Sequence, residues 1–243
     1  MTPELVGIGV GPGDPDLLTV AAVRAFESAG RVFVPVMASD VGGRAEAVVR
    51  AHLTHDRLER LVFALNDDVN ASQRRRHECW DAAAARVVSY LREHGGTAAF
   101  ATLGDPSVYS TFGYLADTVR TLMPQIRIRT VPGITAMQAA ASAAGLTLVE
   151  GAESLTLLPL ARDLDALSEA LARGGTVVGY KGSRRLAALR ELVAGANALD
   201  RAWCAEHLGT PDQRISPLAE TDAASYLSTV VILPPRRGRG AQL

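Results

Sequence analysis

Only two cysteines, Cys79 and Cys204, occur in the 243 residues, and they lie far apart. Such a pair cannot build the disulfide framework of a small secreted domain, so a reducing cytoplasm is the expected compartment. The opening Met1-Thr2-Pro3-Glu4 has no basic leader stretch, which agrees with that expectation. No apolar run approaches the ~18–20 residues of a membrane span, so no membrane partner is expected. An excess of charge of either sign is missing too: 25 Lys+Arg stand against 26 Asp+Glu, for a formal charge of −1. A nucleic-acid binder usually shows a basic surplus, and none is expected here. Lysine itself is almost absent, Lys181 being the single one. What is present is a globular composition, 48% hydrophobic and 21% charged, enough chain for one large or two modest cores.

Strand and helix patterns alternate through the first half. Leu5-Val6-Gly7-Ile8-Gly9-Val10-Gly11 reads as a buried strand entering a glycine-rich turn, with Asp14 or Asp16 capping a helix from about Leu17 to Ala29. Strands are expected at Arg31–Val34 (ended by Pro35), Arg60–Leu65, Thr97–Leu103 and Ile126–Val131. Helices are expected at Ala45–Leu53, Ser72–His94 and Tyr109–Leu122, and an alanine-rich one after the Pro132-Gly133 turn runs to Ala144. That order implies a mostly parallel, doubly wound sheet, whose ligands bind beyond the carboxyl ends of the strands. After about Gly151 a second α/β domain is expected, with strands at Leu155–Leu160, Thr176–Tyr180, Arg201–Glu206 and Ser228–Pro234 and helices at Leu164–Ala172 and Leu186–Ala194. The tail Arg236-Arg237-Gly238-Arg239-Gly240 reads as a solvated, frayed end.

Several chemistries find no support. Proline (Pro12) or Asp14 stands where a dinucleotide fingerprint needs its third glycine, and no Gly-Lys-Ser/Thr loop or G-x-S-x-G elbow exists. The spacing of His52 and His55 would put them on one face if helical, but further ligands are lacking, and Cys204 with His207 is weaker still, so no metal site is expected. The run Arg74-Arg75-Arg76 reads as a solvated helix face, or alternatively as a patch that steers a polycarboxylate.

The informative stretch is Leu103-Gly104-Asp105-Pro106-Ser107-Val108-Tyr109-Ser110-Thr111-Phe112. Here a hydrophobic strand stops at a glycine that permits close backbone approach, and Asp105 is expected to follow with its side chain free. Read alone, it could equally be an ordinary turn with an Asx cap.

Three further turns accompany it: Gly11-Pro12-Gly13-Asp14-Pro15, Val131-Pro132-Gly133-Ile134-Thr135-Ala136 and Gly209-Thr210-Pro211-Asp212-Gln213-Arg214. In order and spacing the four resemble the signature of the tetrapyrrole (cobalamin/sirohaem) methyltransferase family. Thr102–Leu115, Val32-Phe33-Val34-Pro35, Glu150-Gly151-Ala152-Glu153-Ser154-Leu155 and Gly209–Ile215 resemble most its precorrin-2 C20-methyltransferase branch. The resemblance covers the chain up to about Pro234.

It implies a two-domain α/β enzyme, usually a homodimer. The N-terminal domain (1–132) would hold the mostly parallel sheet and the C-terminal one (133–243) a mixed sheet, with S-adenosyl-L-methionine (SAM) bound in the cleft between them. The implied cofactor contacts are Pro12, Leu103, Gly104, Asp105, Val108, Tyr109, Thr135, Ala136, Lys181 and Gly209. Lys181 stands where other members often carry methionine, so its contact would run through backbone. The implied substrate is precorrin-2, or cobalt-factor II in the anaerobic route, methylated on the electron-rich meso carbon C20, with methylation at another corrin-ring position as the further alternative. In uroporphyrinogen methyltransferases an acidic residue follows the second strand, where this chain has Pro35 and Val36. No catalytic base is therefore assigned, with Tyr109, Glu153 and His207 candidates by position only. Arg44, Arg74–Arg76 and Arg184-Arg185 are candidates for the substrate's carboxylates.

Overall fold

The computed structural model describes residues 2–53, 56–63, 72–161, 164–236 and 238. The chain divides into two compact units, Met1–Thr135 and Ala136–Leu243.

The first unit is built on a five-stranded sheet in the order β3-β2-β4-β1-β5. Its strands are β1 (Glu4–Gly9), β2 (Arg31–Val36), β3 (Leu58–Val62), β4 (Thr97–Thr102) and β5 (Arg127–Val131), and every pair is parallel. The connections through α1 (Val20–Ser28) and α2 (Arg44–His52) move one way along the sheet. Those through α3 (Ser72–His94) and α4 (Phe112–Leu122) move the other way. Right-handed crossovers then place the two helix pairs on opposite faces. The packing agrees: Val6, Ile8, Ala99 and Ala101 meet α1 and α2 through Phe26 and Val48, whereas Leu5, Ala98 and Phe100 meet α3 and α4 through Val87 and Leu115. Strands buried on both faces need continuous apolar runs, which β1 and β4 supply. Phe100 is fully buried, and truncating such a residue to alanine costs about 3–5 kcal/mol.

Most boundaries fall within a residue or two of the sequence expectation, and three differences have a clear physical cause. Strand β2 continues through Pro35 to Val36. Val32 N–H donates to Arg57 O on the β3 side, so Pro35 turns its missing N–H toward β4, with which β2 pairs only as far as Phe33. Helix α1 begins at Val20 and not Leu17, because Thr19 Oγ1 caps Ala22 N–H, while Asp14 caps a separate short turn at Pro15–Leu17. Helix α4 begins at Phe112 and not Tyr109, since Tyr109 sits at φ 48° and cannot join it. Of the expected third strand, residues 64–65 lie outside the described residues.

The second unit carries a mixed sheet ordered β6-β7-β10-β8-β9. Its strands are β6 (Leu155–Pro159), β7 (Thr176–Tyr180), β8 (Ala202–Glu206), β9 (Arg214–Pro217) and β10 (Thr229–Ile232). Only β6 and β7 pair in parallel; β10 runs antiparallel between β7 and β8, and β8–β9 is a hairpin. Helices α6 (Asp165–Arg173) and α7 (Leu186–Gly195) cover one face through Leu167, Leu189 and Val193. Helix α5 (Ala136–Ala144) opens the unit. Strand β9 was not expected from sequence. It has four residues and ends in proline, and a turn motif just before it dominates the local pattern.

The tail is a correction as well. Arg236 is held, not frayed: it donates from Nε to Glu153 Oε1 at 2.9 Å, from Nη2 to Glu153 Oε2 at 2.6 Å and from Nη1 to Thr147 O at 2.8 Å. Arg237, Arg239 and Gly240 lie outside the described residues.

Candidate active site

In the first unit, β1 and β4 are neighbours whose following helices leave on opposite faces, so their carboxyl ends form the topological switch point of the sheet. The turn after β1 and the turn after β4 meet there. Gly104 N–H donates to Gly11 O at 2.7 Å and Gly11 N–H donates back to Gly104 O at 3.3 Å. Both glycines need their left-handed backbone, at φ 74° and 71°.

The turn after β5 closes on the same point. A Cβ on Gly133 would lie 2.2 Å from Gly104 O, and one on Gly9 would lie 2.6 Å from both Gly104 O and Gly133 N. Three backbones therefore touch with no room for a side chain. Gly104 presents the opposite face of its backbone to open space, no atom standing within 4 Å of where its Cβ would be. This glycine is an open cradle that a side chain would fill, and a ligand can approach its main chain closely. Seven of the sequence-predicted residues lie on these three turns: Pro12, Leu103, Gly104, Asp105, Val108, Tyr109 and Thr135.

Asp105 departs from expectation. Its carboxylate is not free at the strand end. Oδ1 accepts Ser107 N–H at 2.8 Å and Ser107 Oγ–H, and Oδ2 accepts Gly133 N–H at 2.9 Å. Burial by itself would raise its pKa, but the bonds from Ser107 and Gly133 outweigh it and hold the carboxyl below the usual aspartate range. Tyr109 lies in the same turn, with a left-handed backbone and a half-exposed ring, and burial pushes its hydroxyl up from the ordinary value. A non-glycine residue in this conformation costs on the order of 1–2 kcal/mol, a cost that clusters at functional turns.

In the second unit, Lys181 and Gly209 follow the carboxyl ends of β7 and β8, the two strands that flank β10. Lys181 (φ 62°) and His207 (φ 50°) both take left-handed backbones there. Lys181 N–H donates to Ser228 O at 3.2 Å, so any backbone contact it offers falls to its carbonyl. Ala136 is the first residue of α5, whose opening turn is tied to the end of β7 by Met137 N–H donating to the Tyr180 hydroxyl at 3.0 Å.

The positional candidates for a base fare unequally. Glu153 is engaged by Arg236, which holds its carboxyl below the ordinary glutamate value, so it is a structural anion. His207 uses its carbonyl to accept Thr210 N–H and Oγ–H. Among the candidate arginines, Arg74 pairs with Glu78 on an exposed stretch of α3, and Arg184 and Arg185 are exposed beside the β7 end. Among the described residues no group of three His, Cys, Asp or Glu is placed to hold a metal ion. His52 packs Nε2 at 2.9 Å from Pro15 O, and His55 lies outside the described residues. No described helix is long and apolar enough to cross a membrane. Sequence reasoning missed Ser107 and Gly9 as parts of the site; the signal for Gly9 was a second glycine two residues before Gly11.

The pattern of the Tetrapyrrole (Corrin/Porphyrin) Methylases matches residues 4–223. The chain belongs to that family. A precorrin-2 C(20)-methyltransferase of Sinorhizobium sp is 32% identical over 236 residues, covering 94% of each chain. A cobalt-precorrin-2 C(20)-methyltransferase of Salmonella typhimurium is 25% identical over 236 residues, covering 96% of this chain and 97% of its own. Among solved structures, a cobalamin-synthesis-related protein (CobF) of Corynebacterium diphtheriae superposes with TM-score 0.73 at 20% identity, over 96% of this chain and 99% of that one. The cobalt precorrin-4 methyltransferase CbiF superposes with TM-score 0.70 at 17% identity, over 94% of each. The two-sheet architecture of this tetrapyrrole methylase is thus the family fold.

Proposed function

We propose that this methylase transfers a methyl group from S-adenosyl-L-methionine to C20 of precorrin-2, giving precorrin-3A in cobalamin biosynthesis. The observation that carries the reading is the similarity to the Sinorhizobium enzyme over 94% of both chains. The open cradle at Gly104 fits a donor held by its neutral groups against main chain, and the sequence carries no Gly-Lys-Ser/Thr phosphate loop. In the first unit the proposed contacts are Pro12, Leu103, Gly104, the main chain of Asp105, Val108, Tyr109 and Thr135. In the second they are Ala136, Gly209 and the carbonyl of Lys181.

Bound SAM supplies an electrophilic methyl on a sulfonium centre. The protein's part is positioning, which brings nucleophile and methyl to about 3–3.5 Å in line. The nucleophile is the ring's own enamine-like meso carbon, and the proton that the ring gives up on methylation can pass to water, so a strong protein base is not required. The residues present agree with that: Pro35 and Val36 cannot move a proton, Glu153 is committed to Arg236, and burial pushes the Tyr109 hydroxyl up from its ordinary value. Asp105, kept ionised, contributes negative potential toward a cationic donor.

A second reading is transfer to the cobalt complex of the same macrocycle. The Salmonella relative is named for that substrate, and the metal would arrive with the ring. Thermal unfolding with SAM, S-adenosylhomocysteine and NADP(H) tests the donor. The adenosyl compounds should raise the midpoint and the dinucleotide should not; the reverse would refute the assignment.

A further inference from the structure

We infer that Asp105 serves the donor site as a positioning residue, a tie across the end of β1 that sets the Leu103-Gly104 and Gly133 backbones, and not as a side-chain ligand. The inference rests on the reading that these turns hold the methyl donor. Strands β4 and β5 are not neighbours; β1 lies between them. Two strand spacings amount to about 9–10 Å, yet Asp105 after β4 reaches Gly133 N–H after β5 at 2.9 Å. It does so because the chain over β1 is glycine: Gly9 touches Gly104 and Gly133 with bare backbone. The same carboxylate fastens its own turn through the Ser107 N–H and hydroxyl.

Three donors are thus spent on two oxygens of a residue that is only 8% exposed, and this leaves the carboxylate directed into the protein. The cradle at Gly104 is fixed on both sides, by the paired bonds with Gly11 and by this tie. A carboxylate is needed because it accepts on both oxygens. An asparagine in its place would oppose an NH₂ to either the Gly133 N–H or the Ser107 N–H.

The test compares the parent with Asp105→Asn, Ser107→Ala and the double variant. S-adenosylhomocysteine affinity is read by calorimetry well below each protein's unfolding midpoint, and the midpoint without ligand is read separately. The expected result is affinity about tenfold weaker in Asp105→Asn and about threefold weaker in Ser107→Ala. The double variant should be no weaker than Asp105→Asn alone, since both substitutions loosen one tie. The KM for SAM should rise as affinity falls, while kcat changes less.

Lost affinity in Asp105→Asn with an unchanged ligand-free midpoint, and with Ser107→Ala like the parent, would make Asp105 a direct ligand and overturn the inference. A lowered midpoint with unchanged affinity would reduce Asp105 to a purely structural residue and overturn it too. If the parent itself fails to bind S-adenosylhomocysteine, the reading of the site falls first and this inference with it.

Discussion

Replacing Arg236 with alanine tests the account of the second unit, because the sequence pattern alone makes the substitution harmless. The Glu153 side chain is 4% exposed and accepts both charged bonds from Arg236, whose own side chain is 20% exposed. Glu153 also accepts Glu150 N–H at 3.0 Å, which fixes the segment leading into β6. Removing the arginine leaves a buried carboxylate with the Glu150 N–H as its backbone donor and takes bonds from the Thr147 and Leu148 carbonyls. Breaking one side of a buried pair costs about 3–5 kcal/mol, and the partial exposure of Arg236 lowers this to roughly 2–4 kcal/mol. For a chain of this length about 2–4 °C is lost per kcal/mol, so the unfolding midpoint should fall by roughly 5–15 °C.

Circular dichroism melts at pH 7 read the shift directly. The pair's contribution has a definite sign with pH. Arg236 lowers the Glu153 pKa in the folded state, so the stabilisation is complete above the ordinary glutamate value and is lost as pH falls through the lower folded one. The gap between parent and variant should therefore close in acid. A midpoint within about 2 °C of the parent at pH 7, or a gap that widens in acid, would refute the argument.

Other expectations follow from single sites. Gly133→Ala puts a Cβ 2.2 Å from Gly104 O and should cost about 3 kcal/mol or more in a denaturant titration. Gly113→Ala, inside α4 with nothing within 4 Å, should be neutral or stabilising by up to about 1 kcal/mol. Tyr109→Gly relieves a left-handed backbone and should raise stability by up to about 1 kcal/mol while lowering methyl transfer; a fall in stability would show that the turn is not strained. The Cys204 thiol, pushed up to about 12 chiefly by burial, should resist iodoacetamide at pH 8 in the folded protein while the partly exposed Cys79 reacts. Labelling of Cys204 before unfolding would contradict its place in the core.

The parallel sheet was legible because β1 and β4 are continuous apolar runs ended by glycine turns, a pattern dictated by burial on both faces. Strand β9 was not legible, since a four-residue strand carries too few alternations to stand out from the turn before it. Helix ends were read too early at Leu17 and Tyr109: Thr19 supplies the cap in one case, and in the other a tyrosine occupies a backbone region that sequence pattern does not reveal. The site turns were readable as motifs, but the engagement of Asp105 with Gly133 was not. It depends on β1 lying between β4 and β5, a consequence of strand order and not of spacing along the chain. The Arg236–Glu153 pair is long-range for the same reason, and a basic tail looks the same in sequence whether or not it is tied down.

The most direct test of the central claim is mass spectrometry of the tetrapyrrole after incubation with the protein and SAM, run in parallel on precorrin-2 and its cobalt complex, with the methylated position located by NMR. The account predicts the gain of a single methyl at C20 together with stoichiometric S-adenosylhomocysteine, on the metal-free ring. Methylation of the cobalt complex alone would move the enzyme to the second reading. A methyl at another ring position, or none on either ring from protein that binds S-adenosylhomocysteine, would contradict the proposed reaction.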